Sequence, residues 1–232
     1  MRDVIIACDF SNKEKLYDFL VPFEGLNPYL KLGMEIIYKE GPQLVKELHD
    51  KGFKIFLDLK LHDIPNTVEK AMKNIGTLGV EITNLHAAGG IEMMKAARRG
   101  LDSTEEGKKT KLIAVTQLTS TDQETMERDL LIEKPIDQVV MHYAKVAADA
   151  GLDGVVCSPL EAQKVHSTCG ENFITVTPGI RFADGEVGDQ KRIMTPVEAR
   201  KIGSDYIVVG RPITAAQDPV QAYERCIKEF LG

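Results

Sequence analysis

The chain has 232 residues, of which 43% are hydrophobic and 28% charged, ordinary values for a globular protein. That length suits one large domain or two small ones, and it is sufficient for a substantial core. The formal net charge of -6 argues against a general nucleic-acid surface, so an anionic substrate would have to be held by local positive charge.

Cysteine spacing and hydropathy bear on the cellular compartment. The four cysteines are far apart and form no C-x-x-C pair, unlike a zinc motif or a disulfide framework, which favours reduced thiols. The apolar run at the N-terminus is too short for a signal peptide and is interrupted by Asp9. No stretch approaches the roughly 18 apolar residues of a membrane helix. The sequence therefore predicts a cytoplasmic protein with neither a membrane nor a nucleic acid as partner.

Apolar, β-branched runs alternate with amphipathic segments along the whole chain. Between the runs, apolar residues recur at three- and four-residue intervals, as in 41–52 and 136–151, which predicts helices. The last segment, 218–232, begins with Asp-Pro and ends on Gly, which is typical of a terminal helix. The runs themselves predict strands at 4–10, 29–34, 54–61, 81–88, 111–118, 153–158, 173–180 and 206–210.

Eight βα units without a linker or a composition break predict a single (β/α)8 TIM barrel domain over residues 1–232. Such barrels typically take about 250 residues. An open doubly wound sheet is the alternative, but it rarely uses eight strands at this spacing, and G-x-G-x-x-G is missing after the first strand. Active sites of barrels lie at the C-terminal ends of the strands. Polar residues gather at those predicted ends, which read Asp9, Lys31, Asp58, Lys60, His86, Thr119, Pro178, Gly179, Gly210 and Arg211.

The stretch DLKLHDIPNT, residues 58–67, concentrates charge at the end of the third predicted strand. Asp58 and Lys60 are two residues apart and are expected to point to one face. Lys31 ends the second predicted strand and Asp9 the first, so the four should meet at one end of the barrel. One interpretation is a salt-bridge network that closes the barrel. The other is a lysine that is kept protonated between carboxylates and delivers a proton to carbon.

Asp63 follows the third predicted strand in the loop before Pro65. The proline is expected in the first turn of a helix. Asp63 is then either the cap of that helix or a residue of the site, depending on the path of the loop.

Glycines and basic residues follow the seventh and eighth predicted strands. The connection after strand seven, with Arg181 and Gln190, is long enough to suggest a functional loop whose glycines would permit a lid to close. The alternative is a mobile surface loop with solvated charges. After strand eight, a backbone amide at Gly210 and the guanidinium of Arg211 suit a phosphate dianion, which barrels often bind at this place.

DLKLHDIPNTV resembles the D-x-K-x-x-D-I-P-N-T signature of the orotidine 5'-monophosphate decarboxylases, most closely their bacterial branch. D-x-K-x-x-D alone would be shared with sibling sugar-phosphate enzymes, but the combination of motifs is specific. The similarity covers nearly the whole chain through IACDF, YLKLGM, NLHAAGG, VTQLTS, VTPGIRFADGEVGDQKR and IVVGRPIT.

The resemblance implies loss of CO₂ from C6 of orotidine 5'-monophosphate to give UMP, a step of pyrimidine biosynthesis, without a cofactor or a metal. It also implies a homodimer in which Lys31, Asp58 and Lys60 are joined by Asp63 of the other subunit. Lys60 would protonate C6, and Asp58 would sit beside the substrate carboxylate.

The same resemblance implies the contacts to the rest of the substrate. Asp9 and Lys31 would bind ribose hydroxyls, and Thr119 would bind the edge of the base. Thr67 would contact the ligand across the dimer interface. The phosphate would be held by Arg181, Gln190, Gly210 and Arg211, with Gln190 also reaching toward the pyrimidine.

Two other functions remain open at this point. A sibling such as 3-keto-L-gulonate 6-phosphate decarboxylase uses Mg²⁺, but its family has an acidic metal ligand near the place of Lys31, and the IPNT extension and Gln190 favour the orotidylate enzyme. The second alternative is a phosphate-binding barrel without catalytic activity. Absence of Lys60 or Asp58 would favour it, but the sequence contains both residues. His86 is either a hydrogen-bonded histidine or, less in keeping with its isolation, a metal ligand.

Overall fold

The computed structural model describes residues 2–184 and 194–232. Eight parallel strands form a closed barrel in chain order, in which each strand pairs with the next and β8 pairs with β1. This confirms the predicted (β/α)8 barrel. The strands are β1 (Asp3–Ala7), β2 (Tyr29–Gly33), β3 (Ile55–Leu61), β4 (Ile82–His86), β5 (Lys111–Val115), β6 (Gly154–Val156), β7 (Ile174–Thr177) and β8 (Tyr206–Val209).

Several strands end earlier than their apolar runs predict. β1 ends at Ala7, β5 at Val115 and β7 at Thr177, whereas the runs continue to 10, 118 and 180. Beyond these points the chain leaves the ladder while side chains such as Phe10 and Ile180 still pack on the barrel, and periodicity does not separate these two situations. Asp9 and Thr119 consequently lie in loops at the C-terminal rim.

The helices surround the barrel, and within the described residues three connections carry two of them. β2, β5 and β8 are each followed by a pair, which departs from one helix for each strand. None of the helices in the described ranges has the length and the apolar run that a bilayer crossing requires. The helices are α1 (Lys13–Leu20), α2 (Met34–Glu40), α3 (Gln43–Asp50), α4 (Pro65–Ile75), α5 (Gly90–Asp102), α6 (Gln123–Leu130), α7 (Ile136–Asp149), α8 (Ala162–Cys169), α9 (Pro196–Ile202), α10 (Arg211–Thr214) and α11 (Pro219–Leu231).

Both faces of the strands are apolar because one fills the barrel and the other meets the helices. Phe56 belongs to the cluster inside the barrel, and its neighbour Leu57 belongs to the cluster under the helices. Burying each such side chain contributes about 1.5–3 kcal/mol. Since side chains alternate along a strand, Asp58 follows Phe56 on the inward face, above the packed interior.

Acidic side chains close the N-terminal end of the barrel. Each stands immediately before an even-numbered strand and accepts a hydrogen bond from a backbone amide at the start of the preceding odd-numbered strand. Such charge-assisted hydrogen bonds provide acceptors for backbone amides at the strand starts, so this end of the barrel stabilises the fold. The pairs are Ile55 N–H with Glu81 at 2.6 Å, Leu112 N–H with Asp153 at 2.7 Å and Thr175 N–H with Asp205 at 2.8 Å.

Candidate active site

Asp58 stands at the centre of a charged network at the C-terminal end of the barrel. Its Oδ1 lies 2.6 Å from Lys60 Nζ, and its Oδ2 lies 3.3 Å from Lys31 Nζ. Lys31 Nζ also lies 2.9 Å from Asp9 Oδ1. The four residues that the sequence places at neighbouring strand ends therefore do meet, in the order Asp9, Lys31, Asp58 and Lys60.

Charge pairing outweighs burial at the two most enclosed members of this network. Asp58 is 7% exposed, and burial alone would raise its pKa; Lys31, Lys60 and a hydrogen bond from Asn84 lower the pKa below 3.8. Burial would likewise lower the pKa of Lys31, but Asp58 and Asp9 raise it above 10.5. Both groups are therefore charged at neutral pH, although the site is largely shielded from water.

β3 bulges against β4 where it carries this network. Leu57 pairs with Thr83 and Leu61 pairs with Leu85, so a step of four residues on β3 matches a step of two on β4. Lys60 lies inside the bulge with φ of +52°, in the left-handed region that a non-glycine residue rarely adopts. Residues held in this way cluster at functional sites. Lys60 therefore reaches Asp58 from within a bulge and not from a regular strand position.

Asn84 in β4 is a part of the site that the sequence analysis missed. Its side chain is fully buried, and its Nδ2 donates a hydrogen bond of 2.7 Å to Asp58 Oδ1. Its Oδ1 accepts a hydrogen bond of 2.8 Å from the backbone N–H of Lys60. The available signal was an asparagine in the middle of a predicted barrel strand, since a buried amide requires partners.

Gly33 makes room for the ion pair between Lys31 and Asp9. A Cβ at this position would lie 3.2 Å from both Lys31 Nζ and Asp9 Oδ1, closer than such contacts normally are. This glycine at the end of β2 was also missed, although a glycine at a strand end is a known mark of close approach.

A cavity of about 620 Å³, including its open mouth, adjoins the charged network. Thr119, predicted as a site residue, is in its wall, and so is Gln117, which the sequence analysis did not single out. A network that only closed the barrel would need no such space, so the cavity favours a binding site. The lining residues are Lys31, Phe56, Asp58, Lys60, Val115, Gln117, Leu118, Thr119, Val156, Val176, Pro178 and Val208.

Asp63 and Thr67 lie apart from the charged network of their own chain. Asp63 is exposed and accepts a 2.6 Å hydrogen bond from the N–H of Ile64. Ile64 is the N-cap of α4 and contributes no side-chain cap, so the interpretation of Asp63 as a helix cap is wrong. Pro65 begins α4 as predicted, and Thr67 is exposed in its first turn. Asp63 borders a second, open cleft together with His62 and Gly89.

His86 ends β4 beside the network and is half-buried. Burial, His62 and Lys60 together lower the pKa of His86, which favours its neutral form. Its ring centroid lies 5.8 Å from that of His62. Among the residues described, no group of three or more His, Cys, Asp or Glu could hold a metal ion, so the interpretation of His86 as a metal ligand gains no support.

The predicted phosphate residues lie after β7 and β8. Arg181 donates its backbone N–H to Met194 O at 3.0 Å, and its Nη1 donates to Ile180 O at 2.8 Å. Gly210 is the N-cap of α10, and Arg211 is the first residue of that helix. Gln190, with the glycines and basic residues of the predicted lid at 185, 188, 191 and 192, lies outside the described residues.

Comparison with known proteins places this geometry in a family. The family model described as "Orotidine 5'-phosphate decarboxylase / HUMPS family" matches residues 2–226. The chain is 52% identical to the orotidine 5'-phosphate decarboxylase of Bacillus cytotoxicus, and the match covers 100% of this chain and 98% of the relative. The enzyme of the same name from Bacillus mycoides is 52% identical with the same coverage.

Solved structures agree with the sequence relatives. The crystal structure of orotidine 5'-phosphate decarboxylase from Lactobacillus acidophilus is similar with a TM-score of 0.89 and 43% identity, and the match covers 100% of both chains. An uncharacterized conserved protein from Geobacillus kaustophilus is similar with a TM-score of 0.87 and 45% identity, covering 98% of this chain and 99% of the other.

Proposed function

Because the chain belongs to the orotidine 5'-phosphate decarboxylase / HUMPS family, we propose that Lys60, Asp58 and Lys31 carry out its reaction. The chain decarboxylates orotidine 5'-monophosphate to UMP and CO₂, a step of pyrimidine biosynthesis. The observation that supports the residue assignment is the carboxylate of Asp58, held between two lysine ammonium groups at the wall of a cavity.

In the proposed mechanism, the bond between C6 and the carboxylate carbon of the substrate breaks and CO₂ departs. The electron pair stays on C6 in the plane of the ring, where delocalisation stabilises it poorly. The ammonium of Lys60 stabilises this developing charge and then transfers a proton to C6, which leaves a neutral amine. The ion pairs are formed before the reaction, and they are effective here because Asp58 and Lys31 are largely shielded from water.

Asp58 has two tasks in this proposal. It pairs with the ammonium groups on both sides and so fixes their positions before the substrate enters. Its carboxylate also stands beside the substrate carboxylate, and the repulsion is relieved as CO₂ leaves. Lys31 and Asp9, 2.9 Å apart, are proposed to bind the ribose hydroxyls.

The remaining contacts anchor the substrate away from the reacting carbon. Thr119 in the cavity wall is proposed to bind the edge of the base. Arg181, Gly210 and Arg211 follow β7 and β8 and are proposed to bind the phosphate, together with Gln190. Binding energy from the phosphate can then be used to hold the pyrimidine against Lys60.

We also propose that the active unit is a homodimer, in which Asp63 and Thr67 of each subunit complete the site of the other. Both residues are exposed and lie away from the network of their own chain. Ile64 between them is 66% exposed, although it is an apolar side chain, which suits an interface.

Mixing two inactive variants tests this dimer. Lys60→Ala and Asp63→Asn are each expected to be inactive, but subunit exchange yields mixed dimers with one intact site. Since half of the dimers are mixed at equal amounts, about a quarter of the wild-type activity should return. Activity that stays absent after verified exchange, or a fully active monomer in sedimentation, would contradict the shared site.

The proposal also covers the domain organisation, the cofactor requirement and the cellular compartment of the enzyme. The chain would act as one barrel domain over residues 1–232 and without a cofactor. Cys8, Cys169 and Cys226 are free thiols, which fits a reducing cytoplasm.

The decisive experiment follows the ultraviolet absorbance of orotidine 5'-monophosphate mixed with purified protein and excess EDTA. Conversion to UMP by the wild type is expected, and no conversion by Lys60→Ala, which should still bind UMP through the phosphate contacts. Turnover by Lys60→Ala near the wild-type rate would show that another group donates the proton. Turnover that requires added Mg²⁺ would contradict a metal-free reaction.

A further inference from the structure

We propose that Asn84 is a positioning residue for the reaction, which holds the carboxylate of Asp58 and the backbone of Lys60 with one side chain. The inference rests on the proposed roles of those two residues. It assigns to β4, which carries none of the proposed catalytic groups, the task of orienting the ion pair on β3.

The bulge in β3 creates the need for such a residue. Leu57 and Leu61 pair with Thr83 and Leu85, so residues 58–60 lie opposite the single residue Asn84. The regular ladder therefore cannot pair every amide of the bulge. The N–H of Lys60 donates instead to Asn84 Oδ1 at 2.8 Å, so the side chain takes the place of a strand carbonyl.

Asn84 also fixes the carboxylate that pairs with Lys60. Asp58 Oδ1 receives Lys60 Nζ at 2.6 Å and Asn84 Nδ2 at 2.7 Å. The two hydrogen bonds converge on one oxygen and leave Oδ2 for Lys31 at 3.3 Å. The rotamer of Asp58 is thus set from β2, β3 and β4 together.

The chemistry of this position calls for a primary amide. A primary amide offers a neutral donor and an acceptor three bonds apart at most on one small planar group; asparagine and glutamine carry such an amide, and glutamine is longer by one methylene. A carboxylate at 84 would repel Asp58, and a hydroxyl would have to reach both partners from a shorter side chain. Asn84 is fully buried, so solvent does not replace either bond.

Asn84 is proposed to affect catalysis through the direction in which the Lys60 ammonium points. Lys60 has φ of +52°, and the bond from Asn84 to its amide holds that backbone in the left-handed region. If the bond is lost, the backbone can relax and the ammonium turns away from the reacting carbon. A displacement of about 1 Å at a reacting group can lower the rate about 10²-fold.

Asn84→Ser and Asn84→Asp test this role, with Thr83→Val as the matched control. Thr83 is the adjacent residue of β4, is equally buried and donates its own hydrogen bond to Leu57 O at 3.1 Å, but it does not contact the ion pair. The measurements are kcat and KM for orotidine 5'-monophosphate, the Kd of UMP, and the melting temperature of each variant.

We expect kcat to fall about 10²-fold in both Asn84 variants while the Kd of UMP stays near that of the wild type. Thr83→Val should keep its kcat even where its melting temperature falls. Wild-type kcat in Asn84→Ser would overturn the inference, and so would a loss of UMP binding in parallel with melting temperature, which indicates a structural role. If Asn84→Asp does not fold, Asn84→Ser decides alone. A wild type that does not convert the substrate would refute the proposed function instead.

Discussion

At the N-terminal end of the barrel, Asp205 accepts hydrogen bonds from the amide and the hydroxyl of Thr175, at 2.8 and 3.1 Å. At the C-terminal end, Asp58 accepts from two lysine ammonium groups and an amide side chain. An aspartate therefore accepts backbone hydrogen bonds at one end of the barrel and pairs with lysine side chains at the other. The difference indicates that the first end can be optimised for stability, whereas the second must keep its charges available to a substrate.

Replacing Asp58 by alanine should give the largest effect on activity. Without the carboxylate, both ammonium groups lose their common partner, and Lys60 is no longer directed at C6. We expect kcat/KM to fall by at least about 10³-fold, comparable to the loss of a main electrostatic group in other active sites. Steady-state kinetics with purified protein measure this, and circular dichroism verifies the fold. Residual activity within tenfold of the wild type would contradict the proposed role.

The matched substitution at the other end is Asp205→Ala. It leaves the buried amide of Thr175 without its acceptor, which should lower the free energy of unfolding by about 1–3 kcal/mol. Because Asp205 is at the opposite end of the barrel from the cavity, kcat should change by less than about twofold. Urea denaturation and kinetics on the same preparation separate the two quantities. A large loss of kcat with unchanged stability would contradict the assignment of stability to one end of the barrel and of catalysis to the other.

The dependence of stability on pH should give the smallest effect. The pKa of Asp58 is lowered from 3.8 in the folded state. Its contribution to the free energy of unfolding is therefore present above pH 3.8 and is lost as the pH falls through the lower pKa of the folded state. The pKa of Lys31 is raised from 10.5, so its contribution is present below that value and is lost as the pH rises through its higher value in the folded state.

We therefore expect the stability difference between the wild type and Asp58→Ala to be flat from about pH 4 to about pH 10. Denaturant unfolding of both proteins across this range measures the difference. A large change centred near neutral pH would contradict this expectation and would mean that His86, whose pKa Lys60 lowers and Asp58 raises, dominates the pH dependence.

The strands and the charged residues at their ends were predictable because each depends on local pattern. Lys31 and Asp58 end or interrupt apolar runs, and the closed parallel topology then brings adjacent strand ends together. The bulge in β3 was not predictable, because a lysine in the left-handed region leaves no compositional mark. Asn84 and Gly33 are visible in the sequence, but their roles depend on side chains that the fold brings beside them. These are Asp58 and Lys60 for Asn84, and Lys31 and Asp9 for Gly33. In the proposed dimer, the surroundings of Asp63 depend on a second chain, whose placement a single sequence does not contain.

The left-handed backbone at Lys60 also bears on how the protein can evolve or be engineered. Glycine or asparagine would adopt φ of +52° more readily than lysine, so either replacement should relieve strain of about 1–3 kcal/mol. The same replacement would remove the 2.6 Å ion pair with the buried Asp58, which opposes this gain in stability. The proposed proton donor therefore occupies a position where the backbone conformation by itself favours a different residue, and its ion pair offsets that preference.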